Sequence, residues 1–119
     1  MKKFELDTPA LMLDIDVFNR NLAVMRDRAA RAGKKLRPHA KTHKCPEIAK
    51  RQLAAGNCAG VCAAKVSEAA KLAEAGIADI LITSPVATPE KIVRLVNLNA
   101  AIPGLMVVID HYDNAVALA

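Results

Sequence analysis

A short apolar run, a turn and a capped amphipathic helix recur along this chain about every 20–25 residues, which restricts the fold more than any single residue does. The expected strands lie at 10–13, 35–40, 60–64, 80–83 and 105–109. Most of them are apolar at successive rather than alternate positions, the pattern of a parallel sheet covered on both faces by helices.

The helices between them carry start and stop signals. Asp16 is the expected N-cap of a first helix, with Phe18, Leu22, Met25, Ala29 and Ala32 on one face and Gly33 closing it. Pro46 and Glu47 suit the first turn of a second, whose face is Ile48, Ala49 and Leu53 and whose end is Gly56. Ser67 is the expected cap of a third, with Ala69, Leu72 and Ala73 inward and Gly76 as its stop. Thr88, Pro89 and Glu90 open a fourth, with Ile92, Leu95 and Val96 on its face and Pro103–Gly104 as its break. Asp113 is positioned to cap a last one.

Right-handed crossovers leave two α/β architectures. One is a five-stranded doubly wound sheet, complete within 119 residues. The other is the N-terminal portion, about five βα units, of a (β/α)8 barrel of TIM type, which needs roughly 250 residues when whole. Size alone favours the first. In the second, the inner-face residues left without packing partners are expected among Val61, Ala63, Leu81, Thr83, Val107 and Ile109.

The net charge of +5 is uneven: residues 1–51 hold 13 Lys and Arg against 6 Asp and Glu. A basic half points to nucleic acid or to a small anionic ligand such as a phosphate. Aromatic residues are only 3% of the chain, too few for a base-stacking platform, so the small anion is favoured over nucleic acid. No apolar run approaches the ~18 residues of a membrane span, and the N-terminus lacks the apolar stretch of a secretory signal, so a cytoplasmic protein is expected. Cys45, Cys58 and Cys62 are odd in number and lack paired spacing, which argues for free thiols rather than disulfides or zinc. Cys45 neighbours several lysines and histidines, a setting that favours a more acidic thiol.

In either architecture, reactive groups gather at the carboxyl ends of the strands. Those ends carry Lys41, Lys65, Thr83 with Ser84, and Asp110 with His111. The run RPHAKTHK, from Arg37 to Lys44, is the most loaded. Strand alternation sets Arg37, His39 and Lys41 on one face, and three cationic side chains so placed require an anionic partner. Lys41 is the best nucleophile candidate, because neighbouring positive charge and partial desolvation lower an amine's pKa. The alternative is that Lys41 and Lys44 are solvated loop lysines. His39 and His43 are four residues apart, but Pro38 and the strand reading remove the helical geometry of a metal pair. Lys65 reads as an ion-pair partner, with Glu68 the nearest candidate, and no glycine-rich phosphate loop is present.

The run RPHAKTHKCPEIAKRQLAAG from Arg37 resembles the cofactor-lysine segment of the D-threonine aldolase and D-serine dehydratase family, which shares the barrel of alanine racemases. LDTPALMLDIDVFNRNL from Leu6 and GVCAAKVSEAAKLAEAGIADILIT from Gly60 resemble the same family in one register. The resemblance implies the partial barrel rather than the closed small sheet. It implies pyridoxal 5'-phosphate bound covalently by Lys41, with His39 and Thr83 near the cofactor. The implied activity is a lyase reaction on D-3-hydroxy amino acids. D-threonine aldolase cleavage to glycine and an aldehyde comes first and D-serine dehydration second. A divalent metal and a homodimer are implied for the complete enzyme, with no metal ligand among these residues. Residues 1–119 then form a partial barrel domain, without the C-terminal barrel half and the following β-domain, and are expected to be inactive alone. Two other classes are a non-enzymatic pyridoxal-phosphate carrier and a signalling module. The latter would need an acidic pocket at the strand ends, where this chain is basic.

Overall fold

Helix starts and stops set the frame. The computed structural model describes residues 2–119, opening on a short 3-10 turn at Lys3–Glu5. Helix α1 spans Ile15–Arg31, and its N-cap is Asp14, whose carboxylate accepts from Val17 N at 2.9 Å. The cap therefore sits two residues before the expected Asp16, which instead lies in the first turn. At the other end, Lys34 N donates to Ala29 O at 2.9 Å and Gly33 N to Ala30 O at 3.0 Å. This is a Schellman closure, and it needs the left-handed backbone that Gly33 supplies at φ 64°.

Helix α2 is Pro46–Ala54, with proline in its first turn and Gly56 (φ 91°) just past its end. Strand β1 is Val61–Ala63, followed by α3 at Val66–Glu74. The N-cap of α3 is Lys65, and its side chain makes no capping bond; the expected cap, Ser67, falls inside the helix. A second Schellman closure at Gly76 sends Ile77 N to Leu72 O at 3.1 Å, and both side chains are buried in the core.

Strand β2 is Ile80–Ile82, α4 is Pro89–Ala101, β3 is Met106–Val107 and α5 is Tyr112–Leu118. Thr88 and Pro89 open α4 as expected, and the helix stops before Pro103. The N-cap of α5 is His111, whose ring accepts from Asp113 N at 3.2 Å, so Asp113 is in the helix rather than its cap.

The sheet is parallel, in the order β1-β2-β3, with Val61 beside Ile80, Ala63 beside Ile82, and Leu81 beside Met106. It is a partial barrel of α/β type with three laddered strands among the described residues, fewer than the five expected. Residues 35–40 run beside β1 but touch it only through isolated bridges, Leu36 with Cys58 and His39 with Cys62. Two causes interrupt the ladder. Pro38 has no N–H to donate. The bridges are also three residues apart on one side and four on the other, so an extra residue is accommodated near Gly60. Residues 10–13 form no strand: an apolar run becomes one only where a neighbouring chain accepts its hydrogen bonds, and none does so here among the described residues.

The core lies between the sheet and the helices. Val61, Ala63, Ile80 and Ile82 have no exposed surface and pack with Val66, Ala69, Leu72 and Leu95 of α3 and α4. Strand alternation then puts Cys62, Leu81, Thr83 and Met106 on the opposite, barrel-inner face. Val61, Ala63 and Val107 are therefore corrected from the inner face to the helix side. The reason is that helices cover the residues with zero exposure, while Met106 on the other side is 40% exposed.

Candidate functional site at the strand ends

Past the bridge at His39 the chain leaves the sheet and turns. Ala40 N donates to Cys62 O at 2.8 Å, and Lys44 N returns to Ala40 O at 2.8 Å, closing a turn that carries Lys41 at its first exposed position. Lys44 adopts φ 49°, left-handed for a residue with a Cβ, so this tight reversal is held against a local conformational cost.

His39 organises the site. Its Nδ1 accepts from Lys41 N at 3.2 Å, and its Nε2 lies 3.0 Å from Thr83 Oγ1. An accepting Nδ1 assigns the proton to Nε2, which donates to the threonine oxygen. Thr83 Oγ1 in turn donates to Ala63 O at 3.2 Å. The result is one directed chain, from the Lys41 amide through the imidazole and the hydroxyl to a strand-end carbonyl. It needs neutral imidazole. Burial, then the charge of Lys41, push the His39 pKa below its ordinary value, against a smaller opposing pull from Glu68.

Lys41 Nζ forms no ion pair among the described residues, whereas Lys44 Nζ lies 3.4 Å from Glu68 Oε1. Glu68 is mostly buried and its other oxygen accepts from Ala64 N at 2.9 Å. Desolvation opposes its charge, but the Ala64 amide and Lys44, with Lys65 more distantly, outweigh it and lower its pKa. The expected partner of Glu68 was Lys65. Lys44 makes the contact instead, because its left-handed backbone turns the side chain back toward α3, while Lys65 is exposed at the helix N-cap.

Arg37 does not join this cluster. Its Nη1 donates to Asp79 O at 3.1 Å, at the opposite, amino end of β2. The three cations expected on one face are therefore split: Arg37 is satisfied by a carbonyl below, and His39 and Lys41 lie above. Gly60 makes this possible, since a Cβ there would collide with both the Asp79 carbonyl and the Arg37 guanidinium. Cys45, Cys58 and Cys62 are free thiols, and burial pushes the pKa of Cys58 and Cys62 upward. The Cys45 amide donates to His43 Nδ1 at 3.1 Å. Asp110 and His111 are exposed beyond β3 and join neither His39 nor Lys41. Among the described residues no three His, Cys, Asp or Glu side chains are grouped to hold a metal ion. Among the described residues no helix is long and apolar enough to cross a membrane.

Sequence reasoning missed the contacts of Glu68 with Lys44 and with the Ala64 amide. The signal available for Glu68 was its place in the first turn of a helix following a strand, where a carboxylate reaches exposed backbone N–H groups.

The chain matches the family described as alanine racemase, N-terminal domain, over residues 13–119. It is 48% identical over 109 residues to a D-threonine aldolase of an Arthrobacter species, covering 92% of this chain and 28% of that protein. Among solved structures it superposes on D-threonine aldolase from Filomicrobium marinum with a TM-score of 0.90 and 46% identity, over 94% of this chain and 30% of that one. D-threo-3-hydroxyaspartate dehydratase from Delftia sp. HT23 superposes with a TM-score of 0.86 and 35% identity, over 96% of this chain and 30% of that one. The chain thus spans about three-tenths of the length of the relatives it matches.

Proposed function

This chain belongs to the alanine racemase N-terminal domain family, and from that premise we propose that the protein carrying it is a pyridoxal-phosphate-dependent lyase acting on D-3-hydroxy amino acids. Residues 1–119 are then the first part of the barrel, and the activity belongs to the complete protein.

The observation that carries this reading is the Lys41 turn. A primary amine free of ion pairs among the described residues stands at a strand end, its own amide fixed by the ring of a neutral histidine. Such an amine can hold a carbonyl cofactor covalently. The neutral His39 ring, tied to Thr83, offers a flat uncharged surface beside it that adds no competing charge. These residues fit the lysine side of a pyridoxal-phosphate site, with Lys41 holding the cofactor and His39 and Thr83 lining it. When bound, the cofactor supplies an electron sink for charge developing at the substrate's Cα. What the chain's own residues contribute is position: the turn sets the Lys41 amine, and the His39–Thr83 bond keeps the imidazole from rotating into its place.

Within the lyase class, D-threonine aldolase activity is the finer reading, supported by the 48% identity to an aldolase of that name. Dehydration of D-3-hydroxy amino acids is the second reading, supported by the dehydratase superposition. A divalent metal, whose ligands would lie outside this chain and which would supply Lewis-acid chemistry, a homodimeric assembly and a cytoplasmic location complete the proposal for the whole enzyme. The test is an assay of the complete protein with D- and L-threonine and D- and L-serine, with and without excess chelator. Glycine and acetaldehyde from D-threonine, lost on chelation, are expected. Turnover of L-threonine alone, or undiminished activity in chelator, overturns the reading.

A further inference from the structure

We propose that Glu68 is a positioning residue for the Lys41 turn, acting through Lys44; this rests on the reading of Lys41 as the cofactor lysine. Glu68 is fixed at one end by Ala64 N (2.9 Å), directly after β1, and at the other reaches Lys44 Nζ (3.4 Å) across the mouth of the turn. The turn has its own closing bond, Lys44 N to Ala40 O, but closes on a left-handed Lys44. A residue in that conformation relaxes readily unless something outside the turn holds it. The Glu68 carboxylate is that outside hold. It is the better anchor of the pair, since its side chain is only 17% exposed while that of Lys44 is 66% exposed. Lys71, on the same cleft, pairs with Glu74 at 2.6 Å and leaves Glu68 to Lys44.

Two variants separate the parts of this device. Glu68→Gln keeps an oxygen for Ala64 N and removes the charge; Lys44→Met removes the cation and leaves Glu68 on Ala64. Measured on the complete protein by absorbance, each should slow capture of added pyridoxal phosphate about two- to fivefold, the size expected of a part-exposed ion pair. The double variant should be no slower than either single one. Lys44→Arg should restore the rate, and Lys71→Met should leave it unchanged. Wild type at about 1 M salt should approach the Lys44→Met rate, because screening removes the same pair. Loss of this part-exposed pair should lower the thermal midpoint of Lys44→Met only slightly, whereas a purely structural role for Lys44 would lower it well beyond what such a pair is worth.

Hydrogen exchange at the Lys44 amide, read without cofactor, should quicken in both single variants. That readout does not depend on Lys41 binding anything, so it still judges Glu68 if the cofactor reading fails. Additive slowing in the double variant overturns the proposal, and so does wild-type exchange at the residue-44 amide in Lys44→Met, a readout that stands even where Glu68→Gln does not fold.

Discussion

His39 Nε2 lies 3.0 Å from Thr83 Oγ1, a contact that ties the chain leaving the sheet at His39 to the end of β2, 44 residues further on. Because Nδ1 of the same ring accepts from the Lys41 amide, this contact fixes where Lys41 begins.

Replacing Thr83 by valine keeps the shape and removes the hydroxyl. The His39 Nε2 proton loses its acceptor and Ala63 O loses a donor. Thr83→Val should lower stability by about 1 kcal/mol, the usual worth of a part-buried hydrogen bond, and Thr83→Ser should recover most of it. Urea denaturation of the complete protein checks both.

The lowered pKa of His39 predicts a pH dependence. Its folded value lies below its ordinary 6.5, so the unfolded chain binds this proton more readily than the folded one. Stability from this source is complete above pH 6.5 and is lost as pH falls through 6.5 toward the folded value. Glu68, lowered from 4.5, gives a second loss of the same sign in a more acid window. Thermal midpoints between about pH 3 and 8 should fall on acidification, and His39→Gln should flatten the part of that slope just below pH 6.5 while leaving the part below pH 4.5.

Gly60 and Gly76 both have positive φ, at 124° and 86°, yet they should respond differently to alanine. At Gly76 the added Cβ meets open space, so only backbone strain applies, about 1–2 kcal/mol. At Gly60 the Cβ meets the guanidinium of Arg37 and the Asp79 carbonyl to which it is bonded, and that carbonyl is backbone at the start of β2. Gly60→Ala should cost at least about 3 kcal/mol, as strain and collision add. Equal losses at the two sites by chemical denaturation would contradict the packing described for Arg37.

The helix stops were legible because each rests on local chemistry: Gly33, Gly56 and Gly76 stand where left-handed backbone is required. Helix starts were read less well. Asp14 and Asp16 are both good caps, and only the phase of α1 chooses between them. His111 caps α5 through its ring, a donor–acceptor match that composition does not signal. The position of Lys41 past a strand end, with His39 on the same strand and Thr83 at the next-but-one strand end, was readable from the βα repeat. The direction of Arg37 was not, because alternation fixes which face a side chain leaves from and not which end of the sheet it bends toward. Nor was the pairing of Lys44 with Glu68, which depends on a single left-handed residue. The unpaired run at 10–13 shows the same limit, since hydrophobicity marks a segment fit to be a strand and long-range pairing decides whether it is one.

The central claim is that Lys41 holds the cofactor. Borohydride reduction of the complete protein loaded with pyridoxal phosphate, followed by peptide mapping, tests it most directly. The account predicts a pyridoxyl label on Lys41, in the peptide between Pro38 and Lys44. A label on Lys44 or Lys65 with Lys41 unmodified would contradict it.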